Sequence, residues 1–148
     1  MELWELSARE HIRDSLARYN WSGDALRLDE LAQTFWEDGE LELRGSQSAQ
    51  GRAAIVEFLG GAVAAPSAAA KASGITRIVR HNVANIRFDA VTPQEARVAC
   101  YFTVFTEIGL DHFGRYRDVF VPVDGAWLIC HRFVSTDWSA PESTMARR

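Results

Sequence analysis

The stretch that decides the fold runs from Ala96 to Val134 and reads ARVACYFTVFTEIGLDHFGRYRDVFVPVDGAWLICHRFV. β-Branched and aromatic side chains outnumber helix-forming residues in it, and the only strong breaks fall near Gly109 and at Asp124 and Gly125. An Asp-Gly pair between apolar runs is a strong hairpin signal, because both positions tolerate the positive φ of a tight turn. The stretch therefore predicts three antiparallel strands joined by two short turns.

The side-chain alternation within these strands indicates how they face their surroundings. The first strand, Ala96 to Ile108, is apolar at both odd and even positions, which predicts that both of its faces are buried. The second alternates Tyr116 and Asp118 with arginines, so one of its faces carries polar groups. In the third, His131 and Arg132 belong to opposite faces. Long strands of this kind predict a sheet that bends around a space.

Helical patterns occupy the N-terminal part of the chain. Ser7 and Glu10 form an S-x-x-E capping box, which predicts a helix start. The sequence NWSG at 20–23 interrupts this helix, and an amphipathic second helix follows. Asp24 is placed at the start of the second helix, where a carboxylate caps exposed amides. A third helix is predicted over Arg52 to Val63.

The remaining segments are shorter or less regular. A short edge strand is predicted over Glu40 to Arg44, a polar loop over Ser46 to Gln50, and a long strand over Thr76 to Asp89. Ala64 to Gly74 is rich in small residues and has no periodic apolar face, which indicates a mobile loop, a frayed helical tail or a lid. The tail over residues 139–148 is predicted to be disordered.

The order of elements predicts one α+β domain over residues 1–148, with helices packed on one face of a bent antiparallel sheet. A chain of this length with 47% hydrophobic residues can bury a full core. Its net charge of -4 argues against nucleic-acid binding, which requires a basic face.

The sequence shows no signal-peptide pattern and no apolar run of about 18 residues, so a cytoplasmic protein without membrane contact is expected. Cys100 and Cys130 are expected to be free thiols, because their spacing does not resemble a metal site. No phosphate-binding glycine loop, metal-ligand cluster or nucleophile triad is apparent. We therefore expect no cofactor and no metal.

Four segments carry a family resemblance: RYNWSGDALRLDELAQTFWEDGELEL (18–43), GRAAIVEFL (51–59), RHNVANI (80–86) and GRYRDVFVPVDGAWLICHRFV (114–134). Together they resemble the SnoaL-like branch of the nuclear transport factor 2-like (NTF2-like) superfamily, and most closely the group of scytalone dehydratase and the lindane dehydrochlorinase. The likeness implies a cone-shaped fold, in which three N-terminal helices pack on a strongly bent antiparallel sheet that encloses a pocket. This fold hosts dehydratases, isomerases, epoxide hydrolases, oxygenase partner subunits and binding proteins.

Two positions carry the chemistry of these relatives. In the dehydratase and the dehydrochlorinase, an aspartate at the start of the second helix hydrogen-bonds a histidine after the third helix, and that histidine is the general base. Asp24 and His81 match these positions. From the residues alone, the favoured interpretation is that Asp24 is only a helix cap and His81 a satisfied strand histidine, and the resemblance is what argues for the pair.

The sequence also departs from the pattern of scytalone dehydratase. Its two substrate-holding tyrosines are replaced by Gly23 and Leu43, and its second active-site histidine has no equivalent in the region of Thr106 to Ile108. Its Ser and Asn on the fourth strand appear as Gly114 and Tyr116. The resemblance therefore implies the base but not scytalone itself as the substrate.

Three tyrosines are candidates to orient a substrate oxygen, because a phenol combines an apolar ring with a polar tip. These are Tyr19, Tyr101 and Tyr116, and a place in the core is the alternative for each. Tyr116 matches a position that lines the pocket in the relatives. His11 and His112 are expected to be surface or turn residues.

Arg132 also matches a pocket-lining position, and Val134 shares its strand parity and is assigned to the same wall. A buried arginine requires a partner, such as Asp118 or an anionic ligand. The alternative for Arg132 is a solvated position facing outward. His131 is expected on the outer side of the sheet, where the relatives form subunit contacts.

These observations predict a cofactor-independent lyase or isomerase, dehydratase-like, that acts on a small hydroxylated cyclic or aromatic compound. The alternative is a non-catalytic small-molecule binding protein or a partner subunit like the small subunit of ring-hydroxylating dioxygenases. An open apolar cavity beside a contact between Asp24 and His81 favours the enzyme. Self-association as a dimer or trimer is expected, because a bent sheet leaves an apolar convex face exposed.

Overall fold

The structure is a computed structural model that describes residues 1–62, 74 and 77–146. Its elements in chain order are α1 (Leu3–Asp24), α2 (Leu28–Ala32), β1 (Phe35–Leu43), β2 (Ser48–Gln50), α3 (Arg52–Ala62), β3 (Arg80–Val91), β4 (Ala96–Thr106), β5 (Gly109–Val123) and β6 (Ala126–Ser139). None of these helices is long and apolar enough to span a membrane.

The six strands form one curled sheet in the order β2-β1-β6-β5-β4-β3. Neighbouring strands are antiparallel except for β1 and β6, which run parallel, so the sheet is mixed. The predicted α+β class with helices on a bent sheet is confirmed. The parallel pair arises because the chain leaves β1 through β2 and α3 and returns to its side only with the last strand.

The predicted meander of three strands is present as β4, β5 and β6. The turn between β5 and β6 contains Asp124 at φ 49° and Gly125 at φ 82°, as the Asp-Gly signal requires. The expectation that both faces of the first strand are buried is wrong. Phe102 is buried, but Tyr101 is 52% and Phe105 is 45% exposed, because the helices cover only the inner face of the sheet.

The helices begin and end at different residues from those predicted. α1 begins at Leu3 rather than at the Ser7 capping box, and it continues without interruption through NWSG to Asp24. Asn20 and Ser22 face the core from the last turns of this helix, so tertiary burial holds the segment helical. Asp24 is therefore the last residue of α1 and not the first residue of α2.

Two of the predicted segments have a different place in the sheet. β1 has a neighbour on each side, and the edge is β2, which forms at Ser48–Gln50 within the predicted polar loop. The predicted disordered tail over residues 139–148 stays a prediction, and the structure describes it as far as residue 146. The Ala140 amide donates to the Asp111 carbonyl at 2.7 Å, and Ser143 is buried. The prediction for Ala64 to Gly74 lies outside the described residues, except for Gly74.

The core fills the space between α1 and the concave inner face of the sheet. Ile12 and Leu16 of α1 pack against a cluster that includes Phe120 and Ile129. Close approach of β5 to β6 requires a glycine at position 114, because a Cβ there would lie 2.0 Å from the Ser135 carbonyl oxygen. This approach occurs at a bulge between β5 and β6.

Candidate active site

The strand register brings two histidines to the same face of the sheet. His81 of β3 pairs with Val104 of β4, and Val104 pairs in turn with His112 of β5. Directly paired residues of antiparallel strands project to the same side. Val104 is fully buried, so this side is the inner face that α1 covers.

A cavity of about 390 Å³ lies over this face. Most of its wall is apolar, and the polar side chains in it include Asp24, His81 and His112. The apolar lining comes from the helices, the strands and the C-terminal segment, and includes Leu26, Leu28, Leu31, Leu41, Leu43, Leu59, Val79, Phe102, Val134 and Met145. The site is thus a hydrophobic chamber with a few polar groups, which is typical of small-molecule sites.

Asp24 and His81 are in direct contact at the edge of this cavity. The His81 Nδ1 lies 2.5 Å from Asp24 Oδ1, and the backbone N–H of His81 donates to Asp24 Oδ2 at 2.9 Å. Both carboxylate oxygens of Asp24 therefore bond the same residue, His81. The two side chains are only 13% and 19% exposed. The end of α1 and the start of β3 position them, so the pair depends on the packing of α1 on the sheet.

This geometry leaves the second ring nitrogen of His81 available. A carboxylate only accepts hydrogen bonds, so the Nδ1 of His81 carries the proton in this contact. The Nε2 makes no hydrogen bond with any residue that the structure describes. In the neutral ring it has a free lone pair, which can accept a proton from a bound molecule.

The pair is also reached from a second void of about 720 Å³ between α1 and β3. Asn20, Asp24 and His81 line both spaces, and the exposed Trp21 and Arg80 stand at this outer groove. The groove is the larger of the two. We place the candidate site in the inner cavity, because His112 and the two buried tyrosines line that cavity and not the groove.

A second Asp–His pair lies in the same cavity. The His112 Nδ1 is 2.6 Å from Asp111 Oδ1, which also accepts the Ser143 hydroxyl at 2.6 Å. The Thr106 hydroxyl donates to Asp111 Oδ2 at 3.1 Å. The His112 side chain is 10% exposed, so this pair is more deeply buried than the first.

The electrostatics keep His112 neutral and Asp111 ionised. Burial lowers the pKa of His112 and outweighs the opposing effect of Asp111, and the nearby His81 lowers it further. Burial alone would raise the pKa of Asp111, but the hydrogen bonds from Ser143, His112 and Thr106 outweigh it and lower that pKa. The neutral His112 ring, protonated at Nδ1 toward Asp111, presents Nε2 as an acceptor.

The prediction that His112 is a surface or turn residue is wrong, because its side chain is buried and lines the cavity. Thr106 to Ile108 forms the end of β4 and the turn, and the histidine follows four residues later on β5. The sequence signal that could have placed His112 on the inner face is its odd or even position along the strand. His112 shares its parity with Tyr116 and Asp118, both of which are buried.

Two of the three predicted tyrosines line the cavity. Tyr19 and Tyr116 meet edge to face at 6.1 Å, and Phe102 stacks on Tyr116 at 4.6 Å. Burial raises the pKa of Tyr116 well above its ordinary value. Its hydroxyl donates to Asn20 Oδ1 over a long 3.4 Å. Tyr101 does not belong to the site, because its parity on β4 directs it to the outer face, where it is exposed.

Arg132 is buried but does not line the cavity, so its predicted contact with substrate is wrong, as is the solvated alternative. It forms two hydrogen bonds of 2.8 Å with Asp118, and both side chains are completely buried. Burial alone would lower the pKa of Arg132, but Asp118 outweighs it and raises that pKa. The guanidinium lies between the rings of Tyr19 and Tyr116, at 4.2 and 3.9 Å. Arg132 thus packs against the two tyrosine rings without lining the cavity itself.

The other side of the sheet carries the one group of possible metal ligands found among the described residues. Glu40, Glu42 and His131 bring their ligand atoms within 4.8 Å of one another. The His131 Nε2 already lies 2.8 Å from Glu42 Oε2. This group is half-buried and is remote from the cavity, whose lining it does not join.

Comparisons with known proteins agree with this architecture. A family model described as a SnoaL-like domain matches residues 4–133. No curated protein matches the chain. Among solved structures, a protein from Novosphingobium aromaticivorans provisionally named a scytalone dehydratase is 24% identical, with a TM-score of 0.74 over 97% of this chain and 96% of that one.

Two further structures from the same organism are similar. An NTF2-like protein with a cystatin-like fold is 25% identical, with a TM-score of 0.72 over 97% of this chain and 91% of that chain. A protein provisionally named an aromatic ring hydroxylase is 19% identical, with a TM-score of 0.71 over 90% and 91% of the two chains. The likenesses to the proteins named as a scytalone dehydratase and as an aromatic ring hydroxylase show a shared fold.

Proposed function

The chain belongs to the SnoaL-like domain family, and we propose that it is a dehydratase-like lyase or isomerase that works without a cofactor. One observation carries the proposal. Asp24 holds His81 with both of its carboxylate oxygens at the edge of an apolar cavity, and no described residue hydrogen-bonds the Nε2 of the ring. This is the arrangement that a general base requires.

In the proposed reaction, the Nε2 of His81 takes a proton from a carbon atom next to a carbonyl group. Asp24 fixes the ring orientation and stabilises the imidazolium that forms. The electron pair of the broken C–H bond forms the new double bond. The apolar walls keep water away and strengthen the electrostatic interaction between Asp24 and the imidazolium.

Tyr116 polarises the substrate oxygen as a hydrogen-bond donor, and its hydroxyl turns from the long 3.4 Å contact with Asn20 to do so. Because burial raises its pKa well above the ordinary value, Tyr116 keeps its proton throughout. The proton that the leaving hydroxyl needs therefore comes from the His81 imidazolium. The hydroxyl departs as water and His81 returns to its neutral form. In an isomerisation, His81 gives the same proton to a different carbon.

His112 has a binding role in this scheme. Its neutral ring presents Nε2 as an acceptor to the cavity, where it can take a hydrogen bond from a substrate hydroxyl. Asp111 fixes its orientation from the other side at 2.6 Å. Tyr19 and Val134 complete the wall near Tyr116. The site therefore suits a molecule that has a hydroxyl near one end and a carbonyl near the other.

The cavity supports a small cyclic or aromatic substrate. Its volume of about 390 Å³ lies at the lower end of the range for ligand sites. The alternative function, a binding protein or partner subunit without catalysis, predicts an interior filled by aromatic side chains or a base without a carboxylate. The open cavity and the Asp24–His81 contact favour the enzyme.

A proton-exchange assay tests the proposed base. Small cyclic hydroxyketones are incubated with the protein in D2O, and the loss of the α-proton signal is followed by NMR. Replacing His81 by Gln should slow the catalysed exchange by about 10²- to 10⁴-fold, because the acceptor of the proton is removed.

The control is His131→Gln, since His131 lies on the other side of the sheet and contacts Glu42. This variant should exchange at the wild-type rate, and the thermal unfolding of both variants should confirm that they fold. If the His81→Gln variant catalysed exchange as fast as the wild type, the assignment of the base would be wrong.

We also propose that copies of the chain associate as a dimer or trimer. Phe113 and Trp138 stack on the outer face at 5.6 Å and are 37% and 43% exposed. Phe105 and Leu110 extend this apolar patch. Sedimentation velocity tests the proposal, and a Trp138→Glu variant should shift the protein toward the monomer. A wild-type protein that remains monomeric at high concentration would contradict it.

A further inference from the structure

A small pocket on the outer face of the sheet is lined almost entirely by cationic and hydrogen-bonding groups. Its volume is about 160 Å³, and its lining consists of Arg44, Arg115, Arg117, Phe133 and Ser135. The strand register assembles it, because Arg115 pairs with Ser135 and Arg117 pairs with Phe133 across β5 and β6. Arg44 follows β1 directly and donates its amide to Val134 of β6 at 2.9 Å.

The residues that the structure describes do not balance the positive charge in this pocket. Arg115 pairs with Asp137 at 3.0 Å, but neither Arg44 nor Arg117 forms an ion pair with a carboxylate in the described part of the chain. Glu42, two residues before Arg44, is engaged by His131. The undescribed residues contain no Asp or Glu. Three guanidinium groups and one carboxylate leave a net charge of two, whose mutual repulsion a bound anion would relieve.

One buried hydrogen-bond donor of the pocket also lacks a partner in the described part of the chain. The Nε of Arg115 is buried and has no partner among the described residues. The Ser135 hydroxyl is buried, and its contact with Arg44 Nη1 is long, at 3.4 Å. Guanidinium groups present their N–H donors in a fork that matches the oxygens of a phosphate group. The pocket therefore offers both the charge and the directional donors that an oxyanion requires.

We propose that this pocket binds a phosphate dianion, either free inorganic phosphate or the phosphate of a small monoester whose apolar part packs on Phe133. A phosphate monoester carries a charge of about -1.5 to -2 at neutral pH, which matches the excess in the pocket. A carboxylate would neutralise only half of it. A nucleic acid does not fit, because the chain has a net charge of -4 and the arginines form one cluster and not an extended basic face.

Isothermal titration calorimetry with inorganic phosphate tests the site, using the full chain and chloride at matched ionic strength as the reference. The wild type should bind phosphate at one saturable site. Arg117→Gln and Arg44→Gln should each weaken binding by on the order of tenfold or more, because each removes charge-assisted hydrogen bonds. A titration with phenyl phosphate distinguishes the two sources. If the wild type binds phenyl phosphate more tightly than inorganic phosphate, and Phe133→Ala removes this difference, the ligand is a monoester.

The matched control is Arg87→Gln, because Arg87 is an exposed arginine on β3 that pairs with Asp89 at 2.6 Å. It should bind phosphate as the wild type does. Three results would overturn the proposal: no saturable binding by the wild type, equal weakening in the Arg87→Gln control, or an Arg117→Gln variant that binds phosphate normally. The proposal would also be wrong if acidic residues of a second copy filled the pocket. In that case the wild type would not bind phosphate, and the Arg117→Gln substitution would dissociate an oligomer.

Discussion

The two Asp–His pairs of the cavity differ in how their carboxylates are used. Asp24 gives both oxygens to His81, one to the ring and one to the backbone amide, across 57 positions of sequence. Asp111 is next to His112 in the chain and divides its oxygens among the ring, Ser143 and Thr106. A carboxylate shared among three donors stabilises an imidazolium less than one devoted to a single residue.

The burial of the two rings also makes His112 harder to protonate. The His112 ring is 10% exposed and its pKa is lowered by burial, so it stays neutral, whereas the His81 side chain is 19% exposed beside a dedicated carboxylate. Two pairs with the same residue types thus suit different roles. In the proposed reaction, this difference in environment suits His81 to proton transfer and His112 to hydrogen bonding.

The largest effect that separates the pairs is expected from Asp24→Asn. An amide keeps the shape of the side chain but donates as well as accepts, so it no longer stabilises the imidazolium of His81 and can select the wrong tautomer. We expect α-proton exchange to fall by on the order of 10³-fold. Asp111→Asn is the matched comparison and should reduce exchange much less. Equal losses in the two variants would mean that the pairs are not distinct in role.

A smaller effect is expected from His112→Gln. The amide of glutamine can still accept a hydrogen bond from a substrate hydroxyl, so we expect a loss of about tenfold in exchange, mainly through weaker substrate binding. Saturation kinetics of the exchange check this, with a rise in KM and little change in kcat. Tyr101→Phe, on the outer face, is the control. A loss in kcat as large as that of His81→Gln would make His112 a second proton-transfer group.

The smallest effect is expected in the pH dependence of stability. Because the folded-state pKa of His112 lies below its ordinary value of 6.5, the unfolded chain binds the proton more readily. The stability from keeping His112 neutral is therefore complete above about pH 6.5 and is lost as the pH falls from that value through the folded-state pKa. Asp111 acts in a lower window, since its lowered pKa contributes stability above 3.8 that is lost only on further acidification.

Urea unfolding of the wild type and the His112→Gln variant at about pH 8 and about pH 5.5 measures this effect. The wild type should lose more unfolding free energy between the two conditions than the variant does. Both proteins share their other histidines, so the difference isolates position 112. A variant that loses as much stability as the wild type would show that folding does not lower the pKa of His112.

Several features were predictable from local patterns. The Asp124-Gly125 turn and the meander follow from turn chemistry and from strand alternation, which depend on neighbouring residues. The contact of Asp24 with His81 does not follow from spacing, because helix packing brings the two residues together. It was accessible only through resemblance to relatives that use such a pair.

The errors have a common physical origin in the sidedness of strands. Tyr101 and Phe102 are both large and aromatic, and only the covering helices decide that Phe102 is buried and Tyr101 is not. His112 was missed because it was assigned to the turn near Gly109, although it shares its strand parity with Tyr116. Arg132 is buried because Asp118 lies directly beside it in the register, and that pairing is a property of the assembled sheet.

The glycine at position 114 has a wider consequence, because the sheet is a single layer of backbone. Gly114 lies between His112 and Tyr116 on β5, and the Ser135 that it approaches lines the arginine pocket on the opposite side. The inner cavity and the arginine pocket therefore lie on opposite faces of the same two strands. Insertion of one residue into β5 beyond this contact would turn Tyr116 outward and an arginine inward, so neither surface can change its strand register independently of the other.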